Sequence, residues 1–166
     1  MSQDISRRNF LARGWKTAVA LIAAAGAWTS WDVLRPGRTS GLGGKVRALP
    51  EAEVSAETTQ YVREAQAYLT RHGGEVVALW QKCPHLGCRV AWCESSGEFE
   101  CPCHGSTFNR IGEHRTGPSP SGMERFEATV VDGVVEVDTG VVLSGPPLGT
   151  ETLDEPRRGD ACTEEG

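Results

Sequence analysis

Two short runs set the terms for any fold of this chain: Cys83-Pro84-His85-Leu86-Gly87-Cys88 and Cys101-Pro102-Cys103-His104-Gly105-Ser106. Each mixes cysteine and histidine with proline and glycine, so each reads as a turn rather than the interior of a helix or strand. Cys83, His85, Cys88, Cys101, Cys103 and His104 together offer more soft donors than one tetrahedral metal site can use. A fold that exploits them must place two turns at strand ends, where rigid elements can aim side chains at one point.

The flanking sequence supplies those strands. Residues 65–71 and 75–82 are separated by Gly73-Gly74 and read as a hairpin. RVAWC and EFECP flank the turn ESSG as a second hairpin. ERFEATVV and VVEVD flank Asp132-Gly133, a strong hairpin signal. The body, about residues 45–140, is therefore expected to be all-β with several short strands, and both Cys/His runs fall on turns between them.

The N-terminus predicts where this body resides. Ser6-Arg7-Arg8-Asn9-Phe10-Leu11 has the pattern of a twin-arginine export signal. Residues 17–31 follow, apolar and uncharged, with basic residues before them that place the N-terminus in the cytoplasm. Those residues alone span about 22 Å, short of the ~30 Å hydrocarbon core, and Val33 and Leu34 extend them. Trp15, Trp28 and Trp31 suit interfacial anchoring. Ala25-Gly26-Ala27 could serve as a cleavage site, but a retained anchor is the favoured reading. Residues 35–50, rich in Gly and basic side chains, are expected to be a flexible tether. Residues 141–166, rich in Gly and Pro and then acidic, are expected to be a disordered tail. Residues 1–38 carry Arg7, Arg8, Arg13, Lys16, Arg35 and Arg38 against Asp4 and Asp32, so the rest is more acidic than the net charge of −5. An acidic body argues against nucleic acid as a partner.

The residue types permit a structural zinc site of Cys₂His₂ composition. The two runs are matched, however: each brings one Cys close to one His and each leaves a further Cys. Two loops that each give a thiolate and an imidazole suit a cluster with two chemically different irons. An exported protein also permits a disulfide.

With these motifs on view, C-P-H-L-G-C and C-P-C-H-G-S resemble the paired boxes of Rieske 2Fe-2S proteins, over about residues 65–140. The resemblance implies that Cys83 and Cys101 bind one iron, that His85 and His104 bind the other, and that Cys88 and Cys103 form a disulfide. It implies an all-β fold, a small antiparallel β-sandwich with an inserted cluster-binding subdomain, preceded by one transmembrane helix. Ser106 matches the serine that donates a hydrogen bond to a bridging sulfide. Gly117-Pro118-Ser119-Pro120 looks like the family's proline loop. The expected organisation is a cytoplasmic twin-arginine region (1–13), a transmembrane anchor (14–34), a tether (35–50), a Rieske domain (51–140, cluster subdomain about 80–120) and a tail (141–166).

Within the family, the disulfide pair, Leu86 after the first histidine, the anchor and the tether look like the Rieske subunit of a cytochrome bc-type complex in the inner membrane. That likeness implies quinol oxidation on the outer side, with His104, His85 and Leu86 at the quinol site. The implied partners are a cytochrome b subunit and a c-type cytochrome. Phe108 stands where high-potential members carry a tyrosine that donates to a cysteine ligand. The missing hydroxyl implies a lower potential, suited to a quinol such as menaquinol. The rival readings are the small subunit of an arsenite-oxidase-type molybdoenzyme and a soluble ferredoxin-like carrier. Other conspicuous residues have plainer readings. His72 is a turn residue, His114 a solvated loop residue, Cys93 a buried free thiol, and Trp80, Trp92 and Phe126 are core. Lys82 and Arg89 flank the first run and read either as surface contacts for a partner or, more plainly, as a solvated strand end. Cys162 has no visible partner; pairing with Cys93 is conceivable, but nothing in the sequence shows it.

Overall fold

The computed structural model describes residues 6–34 and 43–162. Residues 35–42, half of the expected tether, and residues 1–5 and 163–166 lie outside the described residues. The chain divides into two units, Met1–Arg38 and Thr39–Gly166.

The first unit contains one helix, α1 (Arg7–Leu34), of 28 residues. Ser6 Oγ accepts a hydrogen bond from the Asn9 N–H at 3.3 Å, an N-cap that fixes the helix start before the expected anchor boundary at residue 14. None of its side chains is buried. The helix is long and apolar enough to cross a membrane, with a mean hydropathy of 1.3 over its best window. At ~1.5 Å per residue it reaches about 42 Å, more than the ~30 Å hydrocarbon core. Arg7 and Arg8 sit in its first turn, which has no acidic residue. That placement opposes the helix dipole.

The second unit is two antiparallel sheets. The larger has six strands in the order β1 (Lys45–Pro50), β10 (Val134–Leu143), β9 (Arg125–Val131), β4 (Glu75–Trp80), β3 (Ala67–His72), β2 (Gln60–Val62). The smaller has four in sequence order: β5 (Ala91–Cys93), β6 (Glu98–Glu100), β7 (Thr107–Phe108), β8 (His114–Thr116). The expected hairpins are present. His72 pairs with Glu75 across Gly73-Gly74, and Val131 with Val134 across Asp132-Gly133. Asp132 and Gly133 take φ of 52° and 73°, the left-handed pair that matches the twist of a two-residue hairpin.

Three expectations give way to the structure. Lys45–Pro50, read as the end of the tether, forms edge strand β1 against β10, because its Val46, Ala48 and Leu49 pack on the core. His114 lies on strand β8, paired with Phe108, not in a loop. The described part of the tail is ordered: residues 141–143 complete β10, and the chain beyond is hydrogen-bonded to the smaller sheet. Thr152 donates to Glu113, Arg110 pairs with Glu155 at 2.8 Å, and the Arg158 N–H donates to Ser96 O at 2.9 Å.

Two apolar clusters hold the unit together. One lies in the larger sheet around Leu69, Ala78, Phe126, Val135 and Val137. The other bridges Tyr68 and Leu79 of the larger sheet to Val90, Phe99 and Phe108, with Met123 closing it. Phe99 lies edge-on to both Tyr68 and Trp92, at 4.9 and 5.0 Å between ring centroids. Cys83 and Cys101 belong to this second cluster, so the hydrophobic joint between the sheets is also the floor of the candidate site.

Candidate metal centre

The first loop leaves β4 and returns to β5; the second joins β6 to β7. Each closes with the same pair of backbone bonds. The Cys83 N–H donates to Cys88 O (2.8 Å) and the Gly87 N–H to Cys83 O (2.9 Å). The Cys101 N–H donates to Ser106 O (2.9 Å) and the Gly105 N–H to Cys101 O (3.1 Å). Gly87 and Gly105 have φ of 81° and 70°, so both loops need a residue that tolerates the left-handed region where they turn back. The local chemistry of two similar runs thus produces two similar loops, each presenting its first cysteine inward.

The loops face one another. Cys83 and Cys101 are unpaired thiols, 1% and 2% exposed. Their neighbours His85 and His104 lie outside them, half-buried and exposed, with rings edge-to-face at 4.8 Å between centroids. Cys88 and Cys103 form a disulfide that ties the loop ends together. The sequence-derived ligand set and disulfide pair therefore all converge. Burial pushes the Cys83 thiol up to about 11, and the adjacent Cys101 pushes the same way. So buried a thiol resists ionisation; a metal supplies the positive charge that makes a thiolate stable there. The donor set, two inward sulfurs and two outward imidazoles, fits a 2Fe-2S cluster with two unlike irons.

The remaining predicted residues surround this point. Leu86 stands at the tip of the first loop, 71% exposed. Ser106 is fully buried, and its Oγ accepts the Ser119 N–H at 3.1 Å from the 117–120 loop. That loop lies so close that a Cβ on Gly117 would sit 2.5 Å from Ser106 Cα. His114 Nε2 lies 3.1 Å from Gly117 O and helps hold the same loop. Phe108 is buried beneath the second loop, its ring 5.9 Å from that of His114.

Sequence reasoning left a second disulfide, Cys93–Cys162 across 69 residues, as a conceivable but unassigned pairing. It overturns the reading of Cys93 as a free thiol and gives Cys162 its partner. No local signal marks a pairing at that range; the only hint was two cysteines left over in a chain expected to be exported. Missed outright was a buried polar group beside the smaller sheet. Glu100 accepts from Ser96 Oγ (2.7 Å) and the Cys162 N–H (2.9 Å). Glu113 accepts from Asn109 and from Thr152.

The chain is similar to known proteins. The family model described as "Rieske [2Fe-2S] domain" matches residues 44–127. The cytochrome b6-f complex iron-sulfur subunit 2 of Synechocystis is 29% identical over 158 residues, covering 85% of each chain. The cytochrome b6-f complex iron-sulfur subunit of Chlorobaculum tepidum is 27% identical over 140 residues, covering 81% of this chain and 76% of its own. Among solved structures, the plasma membrane Rieske protein of Synechocystis is 24% identical with a TM-score of 0.42, covering 57% of this chain and 97% of its own.

Proposed function

Because this chain belongs to the Rieske 2Fe-2S family, we propose that it is the electron-transfer subunit of a cytochrome bc-type complex, oxidising a quinol and passing the electron to a c-type cytochrome. The observation that carries this reading is the pair of stapled, matched loops, which bury Cys83 and Cys101 and present His85 and His104 outward. The similarity to cytochrome b6-f iron-sulfur subunits along most of the chain supports it. Cys83 and Cys101 would hold one iron, and His85 and His104 the other.

The bound cluster supplies one-electron redox chemistry at a potential raised by its neutral imidazole ligands. The chain's own residues do the rest. His104, the more exposed imidazole, accepts the hydrogen bond of a quinol hydroxyl and takes its proton at the ring nitrogen. Leu86 packs its exposed side chain against the quinol ring and keeps water from the transfer path. Ser106 is held by the Ser119 N–H, which leaves its own proton free to face the centre. Phe108 has no hydroxyl to offer, so the proposed donor is a lower-potential quinol such as menaquinol. Cytochrome b forms the rest of the quinol pocket. The proposed site of the body is the outer side of the inner membrane, a reading supported by the twin-arginine pattern and the basic N-terminus.

The test is a redox titration of the full chain followed by EPR at several pH values. The expected result is a 2Fe-2S signal whose midpoint lies well above about −150 mV, the bottom of the Rieske range, and falls as pH rises near neutrality. A midpoint at the bottom of that range, flat with pH, points instead to a ferredoxin-like relay. A folded, zinc-loaded protein without the signal would overturn the cluster itself.

A further inference from the structure

The segment after β10 lies beyond the family match, which ends at residue 127, yet it returns to the metal centre. Arg115 donates to Glu155 O at 2.7 Å, the Arg158 N–H to Ser96 O at 2.9 Å, and Ser95 Oγ to Asp160 O at 2.7 Å. The Cys93–Cys162 disulfide then fastens the end of this strap to β5. Between the strap and the second cluster loop lies a cavity of about 80 Å³. Cys101, Ser106 and Glu100 line one side; Arg157 and Ala161 of the strap line the other. One wall of the space beside a cluster cysteine is therefore built from the C-terminal segment.

We propose that this strap is a working part of the metal centre: clamped by Cys93–Cys162, it holds Arg157 on the Cys101 side, where the guanidinium raises the reduction potential. The inference rests on the Rieske reading. Reduction adds one electron beside Cys101, and a positive charge at that wall stabilises the more negative state. The position matters because Glu100, lining the cavity with Cys101, is 2% exposed and pulls the other way when ionised. The strap offsets that carboxylate a second time, since the Cys162 N–H donates to it at 2.9 Å. Arg157 is a positioning residue, acting through the field and touching no reacting atom. Its side chain is solvent-exposed, so water and salt screen its effect without abolishing it. Severing the disulfide frees the strap's end, moves the guanidinium away and leaves Glu100 with fewer donors.

The experiment is an EPR-monitored redox titration of the full, cluster-loaded chain at low and high ionic strength. The variants are Arg157→Gln, Arg157→Lys and the double change Cys93→Ser with Cys162→Ser. Arg157→Gln is expected to disfavour reduction three- to tenfold at low salt, at most ~59 mV for a one-electron couple. Arg157→Lys restores most of the shift, and high salt narrows the gap between Arg157→Gln and wild type. The double serine variant moves in the same direction by at least as much. If that variant fails to fold, the two Arg157 variants decide alone. An Arg157→Gln potential equal to wild type at low salt, or a shift that Lys fails to restore, overturns the proposal. A wild-type chain with no cluster signal overturns the family-based reading instead, so the two failures are distinguishable.

Discussion

Phe108 concentrates the residue-scale question, since one missing oxygen separates it from the tyrosine of high-potential relatives in the family resemblance. It is fully buried, in register with Phe99 and against His114, so the site has room for a ring and its orientation is fixed by packing. Phe108→Tyr adds a donor near the thiolates, and hydrogen bonds to charged acceptors favour the more negative, reduced state. The expected outcome is a rise in midpoint of about 59 mV, a tenfold shift in the one-electron equilibrium, read by redox titration with the EPR line shape retained. No rise would mean that the phenol does not reach a sulfur. Leu86→Ala probes the other face. With Leu86 exposed and outside the ligand set, the cluster spectrum should be unchanged, while quinol oxidation by the assembled complex falls about tenfold, the scale of a lost apolar contact. Unimpaired turnover would remove Leu86 from the quinol site. The two candidate loops were legible at this scale because such a turn is a local object: cysteine, histidine, proline and glycine within six positions fix both donor chemistry and conformation. The Cys93–Cys162 bond was not, because its partners meet only after 69 residues of intervening chain have folded.

At the scale of elements, the 117–120 loop and the C-terminal strap are what turn two ligand loops into an enclosed site. Gly117 has φ of 90°, and an added Cβ would fall 2.5 Å from Ser106 Cα. Gly117→Ala must therefore both strain the backbone and push the loop off Ser106. A loss of about 1–3 kcal/mol is expected from denaturant titration, with a shifted EPR spectrum because Ser106 loses its support. Glu113 ties the strap to the turn before β8. Burial opposes its ionisation, but the hydrogen bonds from Thr152, Asn109 and Leu153 outweigh it and hold the carboxyl below its ordinary 4.5. A depressed carboxyl stabilises the fold at pH values above its unfolded value, and that stability is lost as pH falls through the folded value. Denaturation midpoints should therefore fall from about pH 4.5 downward in wild type, and the slope should flatten in Glu113→Gln. Equal slopes would assign the acid sensitivity to other groups. The strap was misread as disorder because composition averages over a segment and is blind to distant partners. Glu155 looks like a solvated charge until Arg110 and Arg115 are brought against it. Strands β7 and β8, two and three residues long, are likewise too short to show a period. Longer hairpins were legible because Gly73-Gly74 and Asp132-Gly133 declare their turns.

At the scale of the whole molecule, the two units differ in what they bury. The unit Thr39–Gly166 has its own buried core of two clusters and both disulfides. The helix Arg7–Leu34 buries nothing and exposes Phe10, Leu11, Leu21, Ile22, Trp28 and Leu34 at 66–78%. Leaving that much apolar surface in water costs roughly 25 cal/mol per Å², so the helix needs an apolar surrounding that its own fold does not supply. Its length and apolar character meet the bilayer's requirement. The full chain should therefore sediment with membranes and resist extraction by high salt and by alkaline carbonate, whereas a chain starting at Thr39 should appear in the soluble fraction with the same EPR signal. The same signal in both places would show that the anchor sets where the electron is handed over and leaves the chemistry untouched. Release of the full chain by salt alone would instead mean that it is held by its protein partners, and the helix would lose its role as the anchor.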